Sequence, residues 1–181
     1  MAVPTFSGII IDIIVTLVLV FSFIGGLKEG AVKELLGLLA FIIALSLTGA
    51  FTPYVWGWLS FVTDHLWRDF FAFLATMGII TIILHLILIL PRNLLDKVWN
   101  GGFIWHALGG IFAVVNTALG LALMVILFDI YPVLDWLSDL LAASNLLNWL
   151  VSTFGSIILS LLHMTGAYLQ ALHISISFYV V

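Results

Sequence analysis

The chain contains no cysteine, which excludes a disulfide framework, a thiolate metal site and a cysteine nucleophile. Charge is almost as scarce, with five Lys plus Arg and nine Asp plus Glu in 181 residues. Basic residues so few and so scattered leave no electrostatic footprint for nucleic acid. They stop altogether at Lys97. No zinc-type His/Glu spacing, phosphate loop, nucleophile elbow or pair of intramembrane carboxylates occurs, so an enzyme is not expected.

What fills the space is apolar. Hydrophobic residues make up 64% of the chain and charged ones 8%, against about 45–50% and about 25% in soluble globular chains. A soluble domain of this size would still expose about 30% of its unfolded surface. Lipid must therefore solvate part of this one. The length suits one compact helical bundle. The N-terminus lacks a basic n-region, and its apolar run is as long as a full span, so a cleavable signal peptide is not expected.

A helix needs about 20 mostly apolar residues to cross a bilayer. Four stretches qualify: about Phe6 to Gly26, Ala31 to Phe51, Phe70 to Leu90 and Trp105 to Tyr131. Pro53, Pro91 and Pro132 are expected to stop the last three, because proline removes a donor and disfavours helix before it. Lys28, Lys33, Arg92 and Lys97 flank one face of the bundle, and only Arg68 the other. The positive-inside rule then makes the Lys-rich face cytoplasmic and puts the N-terminus outside. Tyr54, Trp56, Trp58 and Trp67 fit an outer aromatic belt, with Trp99 and Trp105 at the inner one.

Residues 1–132 thus read as a four-helix transmembrane domain and 133–181 as a helical tail. In the tail, Leu134, Leu137, Leu140 and Leu141 share one helical face, and Asp135, Ser138 and Asp139 the other. That pattern fits a short amphipathic helix lying in the interface. Ser144 and Asn145 look like the start of a longer apolar helix reaching about His173. Its polar stripe is Asn148, Ser152, Ser156, Ser160, His163 and Gln170, at steps that keep one face. The stripe favours an interfacial helix; a fifth span and a re-entrant pair remain open. The fold class expected is all-α, a polytopic membrane bundle of four spans with C-terminal amphipathic or interfacial helices.

Several residues stand out as candidates. Asp12 lies inside span one, about 9 Å from its start at 1.5 Å per residue. A carboxylate there is a candidate functional group, with Arg68 as its candidate partner, or else a group near enough to the surface to find water. Gly26 and Gly30 permit a tight reversal. Lys33 and Glu34 open the second helix at headgroup level, while Lys28 can snorkel or meet anionic lipid. This turn reads as a helical hairpin with a positive anchor, or as a partner-docking site.

Small residues form seams at Gly30, Gly37, Ala40 and Ala44, and at Gly109, Ala113, Asn116 and Gly120. Close backbone approach and interhelical hydrogen bonds join helices in lipid, and Asn116 is expected to be satisfied across such a contact. His85, deep in span three, is the one candidate cofactor ligand. Bis-His ligation would need a second histidine facing it, and neither His106 nor His163 is placed to do so by spacing. Asp129 closes span four and forms no proton relay with Asp12.

From Asp12 to Leu45 the chain resembles the start of the colicin V production (CvpA-type) membrane protein family. Gly30, Lys33 and Glu34 match the family's hairpin pattern, whereas Glu29 stands where a basic residue is common. In span four, Trp105-His106-Ala107-Leu108-Gly109, Ala113, Asn116 and Thr117 keep the family's small positions. His106 and Asn116 stand where the family has arginines, which weakens any role resting on those charges. The resemblance covers about residues 8–130 and implies a four-span bacterial inner-membrane protein linked to colicin V secretion, biofilm or envelope phenotypes, with no established chemical activity.

The leading expectation is therefore a structural or accessory subunit of a larger envelope complex. A small oligomeric pore or transporter is the alternative, and a cofactor-holding subunit through His85 a third reading. No cofactor or metal is expected beyond bound lipid. Expected partners are membrane lipids and other membrane subunits or further copies of the chain.

Overall fold

The computed structural model describes residues 6–98 and 102–165, and the regular structure among them is all helical. The elements are α1 (Phe6–Glu29), α2 (Ala31–Trp56), a short 3-10 turn (Gly57–Leu59), α3 (His65–Val98), α4 (Gly102–Ile130), α5 (Asp135–Ala142) and α6 (Asn145–Thr165). Five helices, all but α5, are long and apolar enough to cross a membrane. This is a multi-pass membrane protein with a helical bundle fold.

Two proline boundaries differ from expectation. α2 carries Pro53 inside it and runs on to Trp56, and the α3 backbone continues past Pro91 to Val98. Membrane helices tolerate proline where nearby hydroxyls and adjacent turns re-satisfy the backbone. The carbonyl that Pro53 leaves without its amide partner is that of Gly49; the nearby Thr48 and Thr52 hydroxyls bond within the helix instead, donating to the carbonyls of Ala44 and Thr48, each at 2.7 Å. Only Pro132 follows a helix end, that of α4 at Ile130. α3 starts earlier than its apolar run because Asp64 caps it: Asp64 Oδ1 accepts from the Leu66 amide at 2.9 Å, a standard N-cap bond.

α4 is the hub, packing against α1, α2 and α6. Its Leu119, Leu123, Ile126 and Leu127 share one core with Leu45 of α2 and with Leu147, Leu150, Ile158 and Leu162 of α6. α1 and α4 run antiparallel, with Gly26 against Gly109. Stepping about 14 residues back along α1 places Asp12 level with about residue 123 of α4. The first turn of α6 lies there, because the Leu146 amide donates to Asp12.

The direction of α6 follows. Running along the bundle, it would carry Gly155 about 14 Å away from that level at 1.5 Å per residue. Instead a Cβ at Gly155 would lie 3.8 Å from Ile126 Cδ1, about three residues of α4 from the starting level, or about 4.5 Å. α6 therefore lies across α4 at a steep angle. It has the length and hydropathy of a span but the direction of a strap. Leu147, Leu150, Val151, Ile158 and Leu162 face the bundle and are buried. Ser152, Ser156 and Ser160 are exposed on the other side, and the hydroxyls of Ser152 and Ser160 donate to Trp149 and Ser156 carbonyls of their own helix. The part of the expected stripe at His163 and Gln170, like Trp99 and the helix end near His173, lies outside the described side chains.

Candidate functional site

Two constructions join distant parts of the chain. The first is built on Asp12. Its Oδ1 accepts from the Ser144 hydroxyl at 2.5 Å and from the Leu146 amide at 3.0 Å. Ser144 is fully buried, and its oxygen in turn accepts from the Leu147 amide at 3.0 Å. The first amides of a helix have no partner within it. Ser144 therefore caps α6 from within, and Asp12 caps it from another helix. A carboxylate at a helix N-terminus also meets the positive end of the helix dipole.

The expected partner of Asp12, Arg68, is engaged elsewhere. Its Nη2 is hydrogen-bonded to His65 Nδ1 at 2.7 Å, its Nε lies 3.9 Å from Asp69 Oδ1, and its guanidinium sits 4.8 Å from the Trp56 ring centroid. These groups are one to three residues away, or on the adjoining end of α2, so a distant carboxylate has no advantage. Beside this cluster, burial and the Asp69 charge push the Tyr131 phenol up to about 12.

The second construction is the α1–α4 seam. A Cβ on Gly26 would collide with the Gly109 carbonyl oxygen and lie 2.5 Å from Ala113 Cβ. One on Gly109 would lie 2.7 Å from the Gly30 carbonyl carbon. Such spacing lets two backbones meet, and hydrogen bonds follow. The Ser22 hydroxyl donates to the Ala113 carbonyl at 2.9 Å and lies 2.6 Å from Thr117 Oγ1. His106 Nδ1 donates to the Leu27 carbonyl at 2.7 Å. His106, where the family has an arginine, thus ties the end of α1 to the start of α4.

The hairpin between α1 and α2 divides the expected roles of its glycines. Gly30 alone makes the reversal, at φ +85°, a conformation that strongly favours glycine. Gly26 is helical, and what it provides is close approach. Lys33 Nζ pairs with Glu29 Oε2 at 3.0 Å one helical turn apart, so the departure from the family pattern at Glu29 closes a local ion pair. The Glu34 amide reaches the Gly30 carbonyl at 3.3 Å.

Asn116 departs from expectation. Its side-chain nitrogen faces Gly37 of α2, 3.7 Å from where a Cβ would stand, and among the described residues it has no interhelical hydrogen-bond partner. Gly37 provides room and no acceptor. His85 lies on the exposed side of α3, while His106 is committed to α1. Among the described residues, no group of three or more His, Asp or Glu side chains could hold a metal ion.

The bundle, its glycine seam and its capped cross-helix define a multi-pass helical membrane protein. The family model for colicin V production proteins matches residues 11–156, from just before Asp12 to the middle of α6. The chain belongs to the colicin V production protein family. No curated protein and no solved structure matches it.

Proposed function

We propose that the chain is a non-enzymatic structural or accessory subunit of a larger envelope complex, embedded in a bacterial inner membrane with its Asp12 end outward. Every polar construction described above holds helices together, and none presents a reacting group to a substrate. The observation that carries the partner reading is the far half of α3. Ile82, Leu86 and Ile87 there are 60–62% exposed, and His85 among them is exposed and has no hydrogen-bond partner among the described residues. Ionisable side chains at membrane depth almost always face protein or a water-filled cavity. Another protein chain covering this stretch would satisfy His85.

Purification in mild detergent followed by mass spectrometry is expected to recover a second membrane protein in fixed ratio. A photo-reactive residue at position 85 is expected to cross-link to it. A homogeneous monomer, or a homo-oligomer that conducts ions, would overturn the accessory-subunit reading.

A further inference from the structure

The end of α2, the first turns of α3 and the residue just past α4 meet around Arg68. Its guanidinium sits 4.8 Å from the Trp56 ring centroid, and Phe70 packs edge-on against Tyr131 at 6.4 Å. Arg68 Nη2 is hydrogen-bonded to His65 Nδ1 at 2.7 Å. A guanidinium only donates, so Nδ1 is the acceptor and His65 is neutral in this arrangement.

The same side chain stops short of its carboxylate. Arg68 Nε and Asp69 Oδ1 are 3.9 Å apart, both are buried, and neither has a hydrogen-bond partner among the described residues. Charge-assisted pairs of this kind close to about 2.7–2.9 Å, so the fork stands about 1 Å too far out. A buried donor and acceptor left unpaired are costly. The guanidinium thus has two competing partners and is fully committed to one.

The remaining charged and titratable groups here are few. Asp64, before α3, caps that helix through the Leu66 amide at 2.9 Å. From α2 the facing side chain is Trp56, which does not titrate and hydrogen-bonds Asp69. Past the end of α4, Tyr131 lies within the field of the Asp69 charge. His65 itself is exposed and open to protons from solvent.

We propose that His65, Arg68 and Asp69 form a proton-operated latch. With His65 neutral, Nδ1 holds the guanidinium and the gap between Nε and Oδ1 stays open. A proton taken up at Nδ1 turns that acceptor into a donor, and the imidazolium charge repels Arg68. The guanidinium then closes on Asp69, and the two buried atoms satisfy each other. Histidine changes charge between about pH 5 and 8, so the bond to His65 is present above that range and lost as pH falls through it. Only the compartment whose acidity is read rests on the outward orientation proposed above; the exchange of partners does not.

The test is nuclear magnetic resonance on the full-length protein in nanodiscs with labelled arginine. Arginine occurs twice, at 68 and 92, so an Arg92→Lys sample assigns the Arg68 signal. Between about pH 8 and 5 the Arg68 Nε resonance is expected to move with one midpoint. The through-space contact between the His65 ring and the guanidinium should be lost over the same range. His65→Gln offers an acceptor that does not titrate, so the signal should stay at the wild-type alkaline position. His65→Leu offers none, so the signal should sit at the wild-type acid position throughout. A wild-type resonance that stays still, or a ring contact that persists at the acid end, overturns the proposal. So does a movement that survives in either variant.

Discussion

Gly26→Val is expected to destabilise the bundle by about 3 kcal/mol or to prevent its assembly, at the upper end of what overpacking costs. A Cβ at this position would lie 2.5 Å from Ala113 Cβ and closer still to the Gly109 carbonyl, where carbon atoms prefer about 3.5–4.0 Å. Backbone cannot move aside as a flexible side chain would, so α1 and α4 would have to separate. That separation also breaks the Ser22 and His106 bonds across the seam, each contributing about 0.6 kcal/mol in membrane proteins. The adjacent glycine provides the control. Nothing lies within 4 Å of a Cβ at Gly25, so Gly25→Ala should be neutral or stabilise by up to about 1 kcal/mol through helix propensity. Detergent-denaturation curves of the two variants should move in opposite directions. A Gly26→Val protein as stable as wild type would show that the helices do not meet at these glycines.

Asp12→Ala is expected to destabilise the protein by about 2 kcal/mol and to loosen α6 from the bundle. The variant leaves the buried Ser144 hydroxyl and the Leu146 amide without their acceptor, and hydrogen bonds to charged groups contribute about 1.5–3 kcal/mol. Asp12→Asn keeps an acceptor oxygen and loses the charge, so about half that cost is expected, as for helix dipole interactions of ~0.3–1 kcal/mol. Arg68→Leu should leave α6 in place, because Arg68 does not touch Asp12. Limited proteolysis reads the difference: cleavage within 145–165 should quicken in the order wild type, Asn, Ala. Equal rates for all three would remove the capping role from Asp12.

Membrane character, the positions of the four main helices, the short α5 and the helix start at Ser144 were legible from composition, periodicity and capping residues. Those signals are local. The boundary at Pro132 held, while those at Pro53 and Pro91 failed because in a membrane a proline weakens a helix without ending it, as Pro53 in α2 shows. The start of α3 was readable from Asp64 as a cap, yet the apolar run alone pointed to Phe70. Gly26 was legible as important but not as packing; its spacing of four from Gly30, matched by Gly109 and Ala113, is the signal that separates a seam from a turn. For Asp12 the sequence contained the right residue and the wrong partner. Charge complementarity pointed to Arg68, whereas the true acceptor–donor pair joins residues 132 positions apart, and no local pattern encodes that. Asn116 shows the reverse limit, since a polar residue on a small-residue seam need not find an acceptor there.

The central structural claim is that α6 lies across the bundle, fastened by Asp12. The absence of cysteine makes a cross-linking test clean. A Gly155→Cys, Ile126→Cys double variant should be joined by a short thiol-specific cross-linker in native membranes, since a Cβ at Gly155 would lie 3.8 Å from Ile126 Cδ1, the side-chain tip whose space the linker would take. A Gly155→Cys, Val114→Cys pair should not, because that level of α4 lies about 18 Å away along its axis at 1.5 Å per residue. Cross-linking at 126 and none at 114 is the expected result. Cross-linking at 114 and none at 126 would mean that α6 runs along the bundle as a fifth span, and the account would be contradicted.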